Sequence, residues 1–234
     1  MLEFLRSLFI WELKGGRIMS SKIKATEEFL KAKLEESPYF KIDEAAKTYR
    51  LEHSYRVANI GKKIAEREGF NVEAFVIGCL LHDVSYCLEY KEDGDWKNHG
   101  RYSSKIARPF LESIGVETEL IEEICYGIAI HVDDQADFQG ERTPFAVSIG
   151  DADNIDRFDA YRIYENLKNM DFHKMTWEEK MEKVTSILDR LNKYRSLNFG
   201  TITATEMWKE KVDFQIEFFN NLKEQLNSSK DINL

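Results

Sequence analysis

Proline is almost absent from this chain. Three prolines and twelve glycines in 234 residues leave long stretches free of the residues that break helices, and no hairpin turn signal or strand-like alternation of useful length fills the gap. Cysteine is just as scarce. Cys79, Cys87 and Cys125 form no C-x-x-C pair and sit among apolar neighbours, which excludes a disulfide framework and predicts buried, reduced thiols in a cytoplasmic protein. No apolar run nears the roughly 18 residues of a membrane span. Positive charge is also short: 33 Lys and Arg against 42 Asp and Glu give a net charge of -9. That balance excludes a general nucleic-acid coat or an anionic membrane as partner. A small phosphorylated substrate stays admissible, because a bound metal reverses the local field.

What is there reads as helix. The chain is 43% hydrophobic and 12% aromatic, enough to bury a core, and the fold class expected is all-α. Apolar spacing predicts helices over 20–36, 44–68, 72–83, 101–114 and 117–131, one starting at Pro144 and running through Ile155 and beyond, one over 176–193 and a last one over 203–226. Asp43 and Asn71 are placed as N-caps, Gly69 as a C-terminal stop and Pro144 as a first-turn residue. Thr176-Trp177-Glu178-Glu179 and Thr203-Ala204-Thr205-Glu206 each spell a capping box. Residues 20–226 are read as one domain, 227–234 as a frayed tail and 1–19 as an extension. Lys14-Gly15-Gly16-Arg17-Ile18 reads like a purine-rich ribosome-binding site translated in frame, which makes Met19 the expected start.

The chemistry gathers around one junction. The apolar run Val76–Leu81 ends directly in His82-Asp83, two residues whose unpaired burial costs several kcal/mol. His53 lies on the apolar stripe of the helix over 44–68. His99 follows a polar, glycine-containing stretch, His131 ends the helix over 117–131, and Asp151 lies in the helix that Pro144 opens. A lone buried histidine is ordinarily a satisfied core residue. Together, His53, His82, Asp83 and Asp151 offer two nitrogens and two oxygens from separate helices, a mixed set suited to Mn, Fe, Co, Ni, Zn or Mg. The lack of a thiolate argues against structural zinc. Because 151 and 155 share a helical face, Asp153 is expected to point away from the metal and to serve packing or support. Lys97, Arg101, Arg108 and Arg157 are candidate phosphate contacts, and Tyr86, Trp96, Tyr102 and Phe138 candidate stacking partners. Solvation and ordinary packing are the plainer readings of both sets.

These residues carry a resemblance. The order His53, His82-Asp83, Asp151 is similar to that of the HD superfamily of metal-dependent phosphohydrolases, and specifically to its small stand-alone bacterial members. Glu52-His53-Ser54 with Val57, Leu80-Leu81-His82-Asp83, Asn98-His99-Gly100 with Ala107 and Leu111, Ile128-Ala129-Ile130-His131, and Gly150-Asp151-Ala152-Asp153-Asn154-Ile155-Asp156 each resemble a family motif. So does the C-terminal helix with Phe214, Phe218 and Phe219. The resemblance implies a helical HD bundle with a metal in its core, held by His53, His82, Asp83 and Asp151. It implies that His99 and His131 either bind a second metal or touch the substrate phosphate. The expected activity is hydrolysis of a phosphoanhydride or phosphomonoester of a small phosphorylated molecule, a nucleotide, by metal-activated water. Asp83, His99 and His131 would be the catalytic groups, with Lys97, Arg101 and Arg157 binding substrate. Two departures matter. Val84, Ser85 and Tyr86 stand where several branches place an acid after the metal Asp, and Asn154 stands where the family often has Arg. A di-iron oxygenase and a metal- or nucleotide-binding module without turnover are the alternative readings.

Overall fold

A computed structural model describes residues 21–90 and 94–229. The expectations for residues 1–19 and for the end of the tail fall outside them. Among the described residues nine α-helices follow in order: α1 (Ser21–Glu36), α2 (Glu44–Glu68), α3 (Val72–Leu81), α4 (His99–Ser113), α5 (Thr118–Ile130), α6 (Pro144–Asp156), α7 (Ala160–Asn169), α8 (Trp177–Tyr194) and α9 (Ile202–Asn227). Short 3-10 turns span Val84–Cys87, Asp95–Asn98 and Phe172–Lys174. There is no strand among the described residues, so the all-α expectation holds. Nor is any described helix long and apolar enough to cross a membrane.

The helix ends follow local chemistry. Asp43 and Asn71 accept the backbone N–H of Ala46 and Ala74 and open α2 and α3. Gly69 closes α2 at φ 74°, a left-handed turn that suits glycine. Thr143 caps α6 with Pro144 in its first turn. Thr176 and Glu179 form the expected reciprocal capping box of α8. The second expected box is not formed. Thr201, two residues earlier, caps α9 by accepting from Ala204 N–H at 3.1 Å, and Glu206 instead reaches Arg67 on α2 at 2.6 Å. Helix α7 is also unanticipated. Helix α6 stops at Asp156, and Asp159 accepts from Ala160 N–H at 2.7 Å to start a new helix. Only Ile163 of α7 is buried, and Leu167, one turn on, packs partly buried against the core.

Helix α3 is the centre of the molecule. Every residue from Ala74 to Leu81 is buried, with α1, α2, α5 and α6 packed around it. This explains the uniform apolar run, since a helix enclosed on all sides needs no polar face. Cys79 and Cys125 are buried free thiols and Cys87 is half-buried; burial pushes the Cys125 thiol up to about 11. At the far end of the core, Gly100 lets α4 lie directly on α5. A Cβ there would meet the Ala129 and Ile128 carbonyl oxygens at 2.7 and 2.8 Å and His131 Nδ1 at 3.1 Å. Backbone cannot yield as a side chain can. Gly100→Ala is therefore expected to destabilise the fold by about 2–3 kcal/mol, at the upper end of typical overpacking costs, read as a lower urea midpoint at unchanged slope.

Candidate metal centre

Each candidate ligand sits where a helix meets the open end of the core. His53 lies in α2. His82 and Asp83 follow the last turn of α3, His99 starts α4, His131 ends α5, and Asp153 and Asp156 lie in α6. Four of the chain's five histidines thus converge.

Their outer nitrogens are all committed. His82 Nδ1 is 2.7 Å from Cys79 O, His99 Nδ1 is 2.6 Å from Trp96 O, and His131 Nδ1 is 2.7 Å from Ile128 O. A carbonyl only accepts, so each Nδ1 must donate, and in the neutral ring Nε2 then carries a lone pair. His53 Nδ1 lies 2.8 Å from Asp156 Oδ2, a carboxylate also held by Arg56 at 2.7 Å. All four Nε2 atoms therefore face inward in two pairs: His53 with His82 at 3.2 Å, and His99 with His131 at 3.1 Å.

Asp83 stands between the pairs. Its Oδ2 is 3.5 Å from His53 Nε2 and 3.4 Å from His82 Nε2, and its Oδ1 is 3.2 Å from His99 Nε2 and 3.6 Å from His131 Nε2. Asp153 Oδ1 adds a second carboxylate, 3.1 Å from His53 Nε2 and 3.8 Å from His82 Nε2. Asp83 Oδ1 is buried without a hydrogen-bond partner, which is costly for an anion unless a cation answers it. Three triads have ligand atoms within 4.8 Å of one another: His53–His82–Asp83, His82–His131–Asp153 and Asp83–His99–His131. Lone pairs facing lone pairs and carboxylates, with the outer nitrogens fixed as donors, fit one or two divalent ions.

The electrostatics agree. Burial works against charge on His53, yet the hydrogen bonds to Asp153, Asp156 and Asp83 outweigh it and raise its pKa well above the usual value. Burial would raise Asp83, but the charges of His82 and Arg50 hold it well below the carboxylate range. The centre draws positive charge to itself.

Asp151, the closing ligand expected from sequence, is not in this cluster. Its Oδ2 accepts the Gly200 N–H at 2.8 Å, between α6 and the start of α9, and burial lifts its carboxyl to about 6. The expectation that Asp151 and Asp153 point apart is met, but with the faces exchanged. The overlooked signal is the i, i+3 spacing of Asp153 and Asp156, which puts both on the face that touches His53.

A cavity of about 680 Å³ opens over the cluster, and Arg50, Lys97, Arg157 and Arg162 line it with Tyr49, Tyr86 and Trp96. Arg50 pairs with Asp83 and lies 3.5 Å from the Tyr86 ring centroid. Of the expected substrate contacts, Lys97 and Arg157 are here. Arg101 is not: it is bound to Asp133 at 2.9 Å and to Asn98. Arg108 is paired with Glu122, Tyr102 donates to Asp95 at 2.8 Å, and Phe138 packs against Tyr126. Arg50 and Arg162 were missed. Arg50 could have been found one helical turn before His53, whereas nothing in the sequence marks Arg162.

A family model for the HD domain matches residues 50–160, from Arg50 through every residue of the cluster. This stretch belongs to the HD superfamily. The crystal structure of a predicted HD superfamily hydrolase from an uncultured Thermotogales bacterium is similar in fold, with a TM-score of 0.51 at 21% identity over 75% of this chain and 80% of that one. No curated protein matches. Within this HD domain, Asp156 fixes the ring of His53 without facing the cluster. Asp156→Asn is expected to weaken divalent-metal affinity about 10–100-fold, as measured by competition with a chromophoric chelator.

Proposed function

We propose that this HD-domain protein is a metal-dependent phosphohydrolase acting on a small phosphorylated molecule, a nucleotide. The observation that carries the reading is the stacking of two layers. A centre suited to divalent metal forms the floor, and Arg50, Lys97, Arg157 and Arg162 form the walls directly above it. A bound divalent ion supplies a water of lowered pKa and an electrophile for a phosphoryl oxygen. Asp83, facing both histidine pairs, orients the reacting centre. Arg50 and Arg157 neutralise phosphate charge, Arg50 being pre-set by its stack on Tyr86. His99 and His131 lie on the cavity side and can hold or deliver a proton at Nε2. The acid missing after Asp83 has another use for its place: Ser85 donates to His99 O at 2.8 Å and braces the start of α4.

A nucleotide is favoured by a second recess of about 440 Å³ that shares Tyr49, Arg50 and Tyr86 with the metal cavity and adds Tyr39, Phe40 and Tyr90. Its aromatic walls suit a base, and Arg50 at the divide suits the phosphate attached to it. The test is elemental analysis of protein purified without chelator, with phosphate release from nucleotides screened under Mn²⁺, Mg²⁺, Co²⁺ and Ni²⁺. Release dependent on added metal supports the reading. Two irons per chain with no phosphate released overturns it. The four imidazoles arranged as two pairs about Asp83 would then favour dioxygen chemistry.

A further inference from the structure

We propose that a third cavity, between α6–α7 and α8–α9, binds an oligophosphate group. This cavity, of about 660 Å³, is lined by Arg157, Arg162, Lys183 and Arg190, and no carboxylate lines it. In a chain with nine more acids than bases such a surface calls for explanation. Cations close by are paired: Arg195 with Asp213 at 2.7 Å and Lys211 with Asp159 at 2.9 Å. Among the described residues, Lys183, Arg190 and Arg162 have no carboxylate within 4.0 Å, and Arg157 has only Asp153 at 3.9 Å. Arg162 also keeps a buried Nε with no hydrogen-bond partner, while its other end is held by Tyr49. Lys183 and Arg190 lie seven residues apart on α8, two turns along one face. Three cations without a carboxylate partner, and Arg157 with only a distant one, repel one another along one groove unless an anion of matching length lies between them. Arg157 and Arg162 line both cavities, so the groove runs on from the metal centre.

The ligand chemistry is a di- or triphosphate, either the distal phosphates of the substrate itself or those of a separate effector. Binding does not depend on the hydrolase reading; only the turnover arm below rests on it. Sodium tripolyphosphate is titrated calorimetrically into the full chain at low and at high salt. The expected result is binding that weakens steeply with salt, falls at least about tenfold in Lys183→Glu/Arg190→Glu and stays within about twofold in Lys97→Glu, which lines only the metal cavity. Both α8 side chains are exposed, so the double variant is expected to keep its fold by circular dichroism. No binding to the wild-type chain, or a loss in Lys97→Glu instead of the double variant, overturns the proposal. If the substrate supplies the phosphates, the double variant raises KM for a nucleoside triphosphate and leaves the monophosphate unchanged. If an effector supplies them, tripolyphosphate alters monophosphate turnover by the wild type and not by the double variant. Binding without turnover of either nucleotide keeps the site and removes the hydrolase reading.

Discussion

Asp153→Asn is expected to weaken divalent-metal binding at the His53–His82 pair by at least about 100-fold, while Asp151→Asn leaves metal content unchanged. The loss exceeds that for a group that only orients a ligand, about 10–100-fold, because here an anionic ligand itself is lost. The two carboxylates are separated by a single residue, yet a helix turns about 100° per residue and sets them on opposite sides of α6. Asp153 Oδ1 faces His53 and His82 at 3.1 and 3.8 Å. Asp151 Oδ2 faces a backbone N–H of Gly200, which an asparagine oxygen accepts equally well. Metal content by elemental analysis separates the cases directly. A second reading comes from thermal unfolding, because a ligand that binds only the folded chain raises the melting temperature, by an amount that grows with the logarithm of its affinity. The Mn²⁺-dependent rise is expected to shrink in Asp153→Asn and persist in full in Asp151→Asn. Metal lost from Asp151→Asn and kept by Asp153→Asn would sink the assignment.

The exchange of these two residues marks where sequence reasoning runs out. The helices were legible because their ends carry their own chemistry: Asp43, Asn71, Pro144 and the Thr176–Glu179 box act within one turn of where they stand. The junction at His82-Asp83 was legible for a related reason, since the fully buried α3 cannot end in two polar side chains without a partner. What spacing alone does not supply is the rotation of a helix about its axis. Helix α6 is buried nearly all round, with Asp151, Asp153 and Asp156 all enclosed, so no exposed stripe shows which carboxylate faces the histidines. Arg101 and Arg162 illustrate the same limit on the substrate side. Arg101 sits two residues from His99 but is drawn away by Asp133, an acid that folding brings close. Arg162 comes from α7, which was absorbed into the helix expected to run from Pro144 beyond Ile155, because the break at Asp156–Asp159 carries no proline or glycine. Thr203 lost the capping role to Thr201 because both satisfy the same local rule, and the choice is made by where α9 meets α2.

Asp83→Asn is expected to have the largest effect of any single substitution, lowering metal-dependent turnover by at least about 1000-fold, beyond the loss of one electrostatic contact, and removing every bound ion. The reason lies in its two oxygens. Oδ2 faces His53 and His82, and Oδ1 faces His99 and His131, so one carboxylate completes both donor groups. Asparagine keeps one oxygen and replaces the other with an NH₂ that only donates. Whichever way the amide is turned, one imidazole pair then faces a partial positive charge and the other a neutral oxygen, where each needs an anion. Substitution at His99 bears on one pair alone, so His99→Ala is expected to retain the ion held by His53, His82 and Asp153, and the two variants differ in ions per chain. Asp83→Asn also frees Arg50 from its ion pair, and breaking such a buried pair costs up to about 3–5 kcal/mol. Arg50 is 19% exposed and borders the open cavity, so it can swing toward solvent, and the loss in urea stability is expected to fall below that range. Full turnover and full metal content in a folded Asp83→Asn protein would remove Asp83 from the centre of this site.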